Sequence, residues 1–435
     1  MRKSISIAEL HQLFLKSAGT CTDTRNIVPN TIFFALKGES FNGNAYVGKA
    51  LEGGCAYAVV DEVYDPELGQ ESVFLVDDVL TCMQQLATYH RLQLKIPVIA
   101  LSGSNGKTTS KELIHAVLEK KYKTHATKGN LNNHIGVPLT LLSTPVDAEV
   151  LVVEMGANHQ QEITALCEIA VPNYGLLTNI GKAHLEGFGG IEGVKKGKTE
   201  LYSYLNANKG KVFFNNNESS IAEFKQMPTA KIEYGTGTEI QVTKFSQGKD
   251  FLNIEIDNKG ELLQFTTHLF GEYNVNNVLT AVAIGLQFGV QVASIKKAIN
   301  SYLPSNNRSQ VKQTEKGNEL VLDAYNANPT SMQNAVQQFS KINPLRGVYL
   351  LGDMLELGEE SEKEHQAVLN MLLGFKGEML LVGPRFNAFK NRFPFSFYSS
   401  IDELLAEKKL LGFTHENILI KGSRGVALEK SLHQL

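Results

Sequence analysis

The chain has 435 residues, 43% of them hydrophobic and 20% charged, which excludes an intrinsically disordered protein. This length is enough for about two to four folded domains. The formal net charge of -3 gives no general attraction to nucleic acid or to an anionic membrane, so we expect small-molecule partners.

The N-terminal segment MRKSISIAEL has two basic residues but no apolar stretch behind them, and no apolar run in the chain reaches about 18 residues. We therefore expect neither a signal peptide nor a membrane span. The four cysteines, Cys21, Cys55, Cys82 and Cys167, form no CxxC pair, which argues against a zinc cage or a dithiol redox motif. Scattered free thiols are typical of a reducing compartment, so we predict a cytoplasmic protein.

Two turn-rich segments, near Pro97 and near Pro304, divide the sequence into three predicted domains: residues 1–96, 97–303 and 304–435. In the first domain, short apolar runs at 32–36, 56–61 and 72–76 predict buried strands of a small α/β unit. In the second, runs at 98–101, 150–153 and 174–177 predict strands. The segment 111–121 predicts a helix with one apolar face.

The third domain repeats the pattern, with strands predicted at 320–322, 348–351, 379–382 and 418–420 between helical stretches. Alternation of buried strands and helices is typical of mostly parallel sheets covered by helices. The predicted fold class is therefore α/β in three domains, the last of them a Rossmann-like, doubly wound unit. Ligands of such sheets bind at the carboxyl ends of the strands, so the chemistry is expected in the loops that follow them.

The strongest motif is the phosphate loop, SGSNGKTT at residues 102–109, which follows a predicted strand and opens a helix. Glycines let backbone N–H groups face phosphate oxygens, and the helix N-terminus adds partial positive charge. A lysine in this motif reaches the terminal phosphates and the following hydroxyl binds magnesium. The loop is a shortened variant of GxxxxGK[ST], because Leu101 stands in place of the first glycine. The predicted ATP-binding residues here are Gly103, Ser104, Asn105, Gly106, Lys107, Thr108 and Thr109.

Three further residues carry suitable chemistry at suitable places. Glu154 ends a predicted strand, His184 follows another, and Lys198 lies in the run VKKGKTELY at the start of a helix. A carboxylate at a strand end suits magnesium, a hard cation that prefers oxygen ligands. Taken singly, each residue is more often structural or solvated than functional, and a lysine in a charged run usually lies on a solvated face.

These motifs, in this order and over nearly the whole chain, resemble the Mur ligase family of ATP-dependent amide-forming enzymes. The segment KGNLNNHIGVP at 128–138 resembles the family's KGNxNNxIGxP. The resemblance implies that Lys107, Glu154, His184 and Lys198 are catalytic. It also implies that Thr108 holds the first of two magnesium ions, and that Glu154, His184 and Lys198, present as a carbamate, hold or support the second. In the segment FGEYNVNN, Asn274 stands where the family contacts the adenine.

Further resemblances lie beyond residue 304. Arg308 resembles the family's interdomain arginine near the nucleotide. The run DAYNANPTSM at 323–332 resembles the marker of the branch that adds D-alanyl-D-alanine, and LGDMLELG and KGSR fit the same branch. We assign Asp323, Tyr325 and Asn326 to the nucleotide site. The DNPR motif of the diaminopimelate-adding branch is absent from the sequence.

The first domain resembles the family's UDP-sugar domain. Thr24 and Arg25 lie in TDTR, where DSR is common. By the same likeness Thr24, Arg25, Asn130 and Asn133 would bind substrate. The implied reaction uses ATP to convert the carboxylate of UDP-N-acetylmuramoyl-tripeptide into an acyl phosphate, which D-alanyl-D-alanine then attacks. We expect a monomer whose C-terminal domain closes on the ATP site and excludes water.

Two other functions remain open at this point. A folate polyglutamylating ligase of the same superfamily would share the phosphate loop and the metal positions. It would not be expected to carry DAYNANPTSM or a UDP-type first domain. A nucleotide-dependent switch would hydrolyse ATP without needing a dipeptide, and the joint presence of Glu154, His184 and Lys198 argues against it.

Overall fold

The computed structural model describes residues 4–62, 71–248, 251–304 and 307–435. It forms an N-terminal, a central and a C-terminal α/β unit, each with its own mainly parallel sheet. Every strand predicted from the apolar runs is present within a few residues of its predicted position. Within the described ranges, no helix is both long enough and apolar enough to cross a bilayer.

The N-terminal unit is built on a four-stranded parallel sheet in the order β1-β2-β5-β6, with a small hairpin of β3 and β4 beside it. A capping box between Ser6 and Glu9 begins the first helix, and the side chain of Asp78 caps the third. The elements are α1 (Ile7–Phe14), β1 (Thr20–Cys21), β2 (Ile32–Phe34), β3 (Lys37–Gly38), β4 (Phe41–Asn42), α2 (Val47–Glu52), β5 (Tyr57–Val60), β6 (Val73–Leu75) and α3 (Val79–Gln93).

The central unit has a six-stranded parallel sheet in the order β12-β11-β10-β7-β9-β8, so that β7, β9 and β10 lie at its middle. Its strands are β7 (Val98–Ser102), β8 (Thr124–Ala126), β9 (Val150–Glu154), β10 (Tyr174–Leu177), β11 (Lys211–Asn215) and β12 (Lys231–Tyr234). Its helices are α4 (Lys107–Leu118), α5 (Gly136–Leu142), α6 (Glu162–Ala170), α7 (Leu185–Phe188), α8 (Ile191–Ala207), α9 (Val275–Gln287) and α10 (Val292–Ser301).

The prediction that strand and helix alternate throughout 97–303 is wrong for residues 240–267. There the chain forms an antiparallel meander of β13 (Ile240–Gln247), β14 (Leu252–Asn258) and β15 (Glu261–Thr267). In β14 the buried residues Leu252, Ile254 and Ile256 alternate with more exposed ones. A period of two is typical of a sheet with one solvated face, and it differs from the continuous apolar runs on which the parallel strands were predicted.

The C-terminal unit has a six-stranded sheet in the order β16-β17-β21-β18-β19-β20. All neighbours are parallel except β16, which pairs antiparallel with β17 at the edge, so the sheet is mixed. Its elements are β16 (Gln310–Gln313), β17 (Glu319–Asp323), α11 (Pro329–Ile342), β18 (Val348–Gly352), α12 (Ser361–Leu372), β19 (Glu378–Val382), α13 (Pro384–Asn387), β20 (Ser396–Tyr398), α14 (Ile401–Ala406) and β21 (Asn417–Lys421).

One cluster of buried apolar side chains extends through all three units, including Leu10, Met83, Leu166 and Met332. The helix α3 packs against α5 and α6 and so joins the N-terminal unit to the central one. Arg91, buried near the end of α3, donates hydrogen bonds to the carbonyls of Ala170 and Val171 and to the side chain of Asn173, each at 3.0 Å. This guanidinium satisfies backbone oxygens at the C-terminal end of α6, which other groups in the helix cannot reach.

We predict that Arg91→Ala lowers the free energy of unfolding by about 2 kcal/mol, because it leaves buried carbonyl oxygens without donors. Thermal and urea unfolding followed by circular dichroism measure the change. The matched control is Arg346→Ala, which removes an ion pair between a largely exposed guanidinium and Glu416 and should cost less than about 1 kcal/mol. Equal destabilisation by the two substitutions would contradict the role assigned to Arg91.

Candidate active site

A cavity of about 680 Å³ lies between the carboxyl ends of the central strands and the C-terminal unit. Most of the site residues predicted from the sequence line this cavity. These are Ser104, Asn105, Gly106, Lys107, Thr108, Thr109, Asn130, Asn133, Glu154, His184, Asn274, Arg308, Asp323, Tyr325 and Asn326. Four predicted residues do not line it: Gly103, Lys198, Thr24 and Arg25.

The phosphate loop runs from the end of β7 into α4, and its two glycines are required by sterics. Gly103 has φ +140°, and a Cβ there would lie 2.0 Å from Oγ1 of Thr178. Gly106 has φ +78° and precedes the first residue of α4. Lys107 Nζ donates to the carbonyl of Gly103 at 2.7 Å, and burial lowers its pKa. A cation and a helix N-terminus therefore meet at one place, which is the arrangement that binds phosphate.

The phosphate loop is fastened to the loop that follows β10. Asn105 N–H donates to Oδ1 of Asn179 at 2.9 Å, and Thr178 Oγ1 donates to the carbonyl of Asn105 at 2.6 Å. Ser104 exchanges hydrogen bonds with Gly181 through its hydroxyl, at 2.9 and 3.0 Å. These bonds fix the shape of the phosphate loop from its outer side.

Glu154, at the end of β9, is almost completely buried beside the phosphate loop. Its Oε1 accepts hydrogen bonds from Thr108 Oγ1 at 3.2 Å and from Asn132 Nδ2 at 2.8 Å. Its Oε2 is buried without a hydrogen-bond partner, and the nearest cation, Lys111 Nζ, is 4.0 Å away. A buried carboxylate oxygen without a donor, next to a threonine hydroxyl, has the chemistry of a magnesium ligand.

His184 lies just before α7 with φ +53°, a left-handed conformation that is uncommon outside glycine. Its Nδ1 is 2.6 Å from Oε2 of Glu356, which has φ +63° and comes from the C-terminal unit. The interaction with His184 is the main cause that lowers the pKa of Glu356. Two residues in strained backbone positions thus meet across the cavity, which is typical of functional sites.

The predicted metal-binding residues do not form a ready-made cage. Within the described part of the chain, no three His, Cys, Asp or Glu residues lie close enough together to hold a metal ion. Magnesium at nucleotide sites takes few ligands from protein and the rest from phosphate and water. The Thr108–Glu154 pair therefore fits a nucleotide-bound ion.

Lys198, on α8, has no exposed surface, so the solvated face usually expected of a lysine in a charged run is wrong here. Its Nζ donates to the carbonyl of Ala157 at 3.1 Å and lies 5.2 Å from the ring centre of Phe188. Burial, followed by the nearby charge of Lys107, holds the pKa of Lys198 well below its ordinary value. Ala157 lines the cavity, so Lys198 lies directly behind the cavity wall.

The C-terminal unit supplies an aromatic and charged wall. The Arg308 guanidinium lies 3.9 Å from the ring centre of Tyr325. Lys421 forms an ion pair with Asp323, with Nζ 2.6 Å from Oδ2, and also contacts the carbonyl of Asn326. This wall faces the phosphate loop across the cavity.

Other predicted residues serve the local structure. Asn274 is buried, where it donates to the carbonyl of Phe270 and accepts from Asn277. Asn133 Oδ1 accepts from the backbone N–H groups that begin α5, including that of Gly136 at 2.8 Å. These hydrogen bonds order the cavity wall.

Thr24 and Arg25 lie in a turn of the N-terminal unit, away from the cavity. The Arg25 side chain is 83% exposed and forms an ion pair with Asp23 at 2.6 Å. The structure therefore does not bring the two substrate residues predicted there to the phosphate loop.

Several residues of the site were not predicted. Asn132 orients Glu154, and Glu356 and Lys421 come from motifs whose resemblance was noted without a role for either residue. Lys111 follows Lys107 by one helical turn, so helical spacing alone could have placed it near the site. No local sequence pattern predicts the contacts of Glu356 and Lys421, since their partners lie far away in sequence or on another strand.

Comparisons with known proteins match most of the chain. The model of the Mur ligase middle domain matches residues 101–285, and that of the Mur ligase glutamate ligase domain matches residues 307–424. The chain is 35% identical to the UDP-N-acetylmuramoyl-tripeptide–D-alanyl-D-alanine ligase of Bacillus subtilis, over 96% of this chain and 93% of the relative. It is also 35% identical to the enzyme of that name from Escherichia coli, over 95% and 92%.

Solved structures show the same fold. A crystal structure of MurF from Acinetobacter baumannii matches with a TM-score of 0.87 and 29% identity, covering 98% of this chain and 97% of that one. The MurF ligase of Thermotoga maritima in complex with ADP matches with a TM-score of 0.85 over 97% of each chain. At 23% identity this second likeness concerns the fold alone.

Mg²⁺ is expected to raise the affinity of the protein for ADP. We predict that Glu154→Gln reduces this gain by about tenfold or more, because it replaces the unpartnered anionic oxygen with a neutral group. Calorimetric titration with ADP, with and without Mg²⁺, measures this gain. Glu149→Gln, just before the opposite end of the same strand, is the control and should keep the full gain. An undiminished Mg²⁺ effect in Glu154→Gln would exclude Glu154 from the metal site.

Proposed function

This chain belongs to the Mur ligase family, and on that premise we propose that it uses ATP to join D-alanyl-D-alanine to UDP-N-acetylmuramoyl-tripeptide. The products are UDP-N-acetylmuramoyl-pentapeptide, ADP and phosphate, as peptidoglycan synthesis requires. The observation that carries the proposal is the shared cavity. The phosphate loop faces Asp323, Tyr325 and Asn326 of the C-terminal unit across it. The two relatives at 35% identity are named for this activity. They align with this chain over 93% and 92% of their own length.

The chemistry explains why the enzyme needs ATP. A carboxylate is a poor acylating agent, because an amine cannot expel its oxygen. Attack of the tripeptide carboxylate on the γ-phosphate releases ADP and gives an acyl phosphate. The amine of the dipeptide then attacks the acyl carbon, loses a proton and expels phosphate. Negative charge collects on phosphate oxygens in the first step, so catalysis depends mostly on positioning and electrostatic stabilisation.

The phosphate loop supplies most of that stabilisation. The N-terminus of α4 and the loop N–H groups that Asn179 does not bind would face the phosphates, and Lys107, which now donates to the carbonyl of Gly103, would reach the terminal ones. Because Lys107 is half-buried on the cavity wall, water screens its charge less than that of an exposed lysine, and the charge acts more strongly on the transferred group. Gly103 is needed for the shape of the loop, because a side chain at this position would collide with Thr178.

Two magnesium ions would bind around the phosphate loop. Thr108 and Glu154 would hold one of them, since Oε2 of Glu154 is buried without a hydrogen-bond partner and Oε1 already contacts the Thr108 hydroxyl. His184 would take part on the opposite side, where Glu356 now contacts its Nδ1. Bound magnesium would neutralise phosphate charge and orient the γ-phosphate for attack.

A carbamate on Lys198 is the modification we propose for this lysine. Carbamate formation needs a neutral amine, and the burial that lowers the pKa of Lys198 favours the neutral form. The Nζ has one hydrogen bond, to Ala157, and lies just behind the cavity wall. The resulting anion would support a cation in the cavity, which a protonated lysine cannot do.

The substrates are assigned to different parts of the molecule. Tyr325, with Arg308 stacked on its ring, and Asp323 form the nucleotide wall together with Asn326 and Asn274. Asn130 and Asn133 line the cavity between the ATP site and the N-terminal unit and would contact the tripeptide end.

Thr24 and Arg25 would contact the UDP end, far from the phosphates that react. The exposed guanidinium of Arg25 is already oriented by Asp23, so it is available to a phosphate of the substrate. The boundaries proposed for the three domains remain 1–96, 97–303 and 304–435.

The two other functions are less well supported. A folylpolyglutamate synthase from Mycobacterium tuberculosis shares the fold with a TM-score of 0.62, but at 14% identity and over 82% of this chain. A nucleotide switch would not need a second cavity wall that carries the DAYNANP segment. All four cysteines are free and buried, which fits the reducing cytoplasm assigned to this reaction. The monomeric state remains a prediction.

We predict that phosphate release from ATP requires both UDP-linked tripeptide and D-alanyl-D-alanine. Phosphate is measured with each substrate left out in turn, and mass spectrometry identifies the product. Formation of the pentapeptide in step with phosphate is the expected result. Release without the dipeptide would support the switch, and release that requires glutamate and a folate would support the other ligase.

We predict that Lys198→Ala loses most of the activity and regains part of it with short carboxylic acids, which replace the carbamate in the space left by the side chain. The matched control is Lys196→Ala in the same run, because Lys196 is exposed and should be dispensable. Activity is measured as pentapeptide formed at increasing acid concentration. Full activity of Lys198→Ala without added acid would remove this lysine from the mechanism.

A further inference from the structure

The loop after β10, residues 178–184, connects the phosphate loop to the C-terminal unit. We call it the linking loop. On one side it holds the phosphate loop through Thr178, Asn179 and Gly181. On its other side lies Lys182, which no step of the reaction uses and which does not line the cavity.

Lys182 makes two contacts with the C-terminal unit. Its Nζ lies 2.5 Å from Oε1 of Glu364 on α12, and its backbone N–H donates to Oγ1 of Thr330 at 3.3 Å. A third contact is made by the phosphate loop itself, where Asn328 Nδ2 donates to Oδ1 of Asn105 at 2.7 Å. Both Asn328 and Thr330 lie at the start of α11. One connected set of hydrogen bonds therefore runs from the phosphate loop to α11 and α12.

The burial of the two partners is unequal. The Glu364 side chain is 6% exposed, whereas that of Lys182 is 49% exposed. A buried carboxylate is costly unless a cation compensates it, and here the cation comes from the other side of the domain boundary. Separation of the two units would take Lys182 away from Glu364. Docking of the C-terminal unit is thus favoured when Lys182 lies next to Glu364. The position of Lys182 depends on the hydrogen bonds between the linking loop and the phosphate loop.

We propose that Lys182 and Glu364 are positioning residues that keep the C-terminal unit docked over the phosphate loop while the acyl phosphate exists. This inference rests on the proposed ligase function. An acyl phosphate reached by water returns to the free carboxylate and phosphate, so ATP is consumed and no amide forms. The ion pair therefore determines how much of the ATP used ends in product, while the transfer of the γ-phosphate is left to other residues.

The test is the ratio of amide formed to phosphate released, together with the KM for the dipeptide. The variants are Lys182→Ala, Glu364→Gln and both combined. We expect a ratio near one in the wild-type protein and a fall of several-fold in either single variant, with a raised KM for the dipeptide. At saturating ATP, the rate of phosphate formation in a single turnover should change little. The double variant should be no worse than the single ones, because both remove the same interaction.

Controls separate the ion pair from general damage. Lys363→Ala removes the neighbouring cation on α12, which pairs with Glu360 within the same unit, and should keep the wild-type ratio. Lys182→Glu combined with Glu364→Lys should restore part of the ratio. Lys182→Ala changes a half-exposed residue and so remains testable even if Glu364→Gln fails to fold.

The two proposals fail in different ways. A wild-type protein that forms no amide from the dipeptide would overturn the proposed function and this inference with it. A wild-type ratio near one that stays unchanged in Lys182→Ala would overturn the ion-pair proposal alone. Additive losses in the double variant would also overturn it, since they would show that the residues act separately.

Discussion

Backbone N–H groups that face a phosphate cannot also hold the shape of the loop that carries them, and the site depends on this constraint. In this chain, the loop after β10 holds the phosphate loop from the side that faces away from the nucleotide. Asn179 and Thr178 bind the backbone of Asn105, and Gly181 exchanges hydrogen bonds with Ser104. The inner face of the phosphate loop is left to the nucleotide and to Lys107. The loop after β10 therefore has a structural task before it has a chemical one, and the glycines of the phosphate loop leave room for it.

Charge burial is the second organising feature. Four charged residues, Lys111, Glu154, Lys198 and Lys421, are buried in or next to one cavity, and Lys107 is half-buried on its wall. Removal of charges from water is unfavourable, and it persists where the charges compensate one another or await a charged ligand. Lys421 and Asp323 form an ion pair at 2.6 Å, whereas Oε2 of Glu154 has no hydrogen-bond partner and lies 4.0 Å from the nearest cation, Lys111 Nζ. This imbalance distinguishes the part of the cavity that holds structure from the part that receives ions and phosphates.

Cooperation between the units follows from their contacts. The cavity draws its walls from both the central and the C-terminal unit, and the apolar cluster runs from the N-terminal unit into both. Arg91 ties α3 to the end of α6, and Lys182 ties the loop after β10 to α12. Each unit therefore supplies polar groups that its neighbour would otherwise leave unsatisfied.

The sequence by itself determined the features that depend on neighbouring residues. Apolar runs located the parallel strands, and the spacing of glycines with Lys107 and Thr108 located the phosphate loop, since both signals are local. The resemblance of whole motifs then indicated the family. Only the tertiary structure decided that Lys198 is buried and that Asn132 orients Glu154. It also decided the meeting of Lys182 and Glu364, which lie 182 residues apart. The environment of a charged side chain is set by what packs against it from distant segments, and that packing has no counterpart in the order of neighbouring residues.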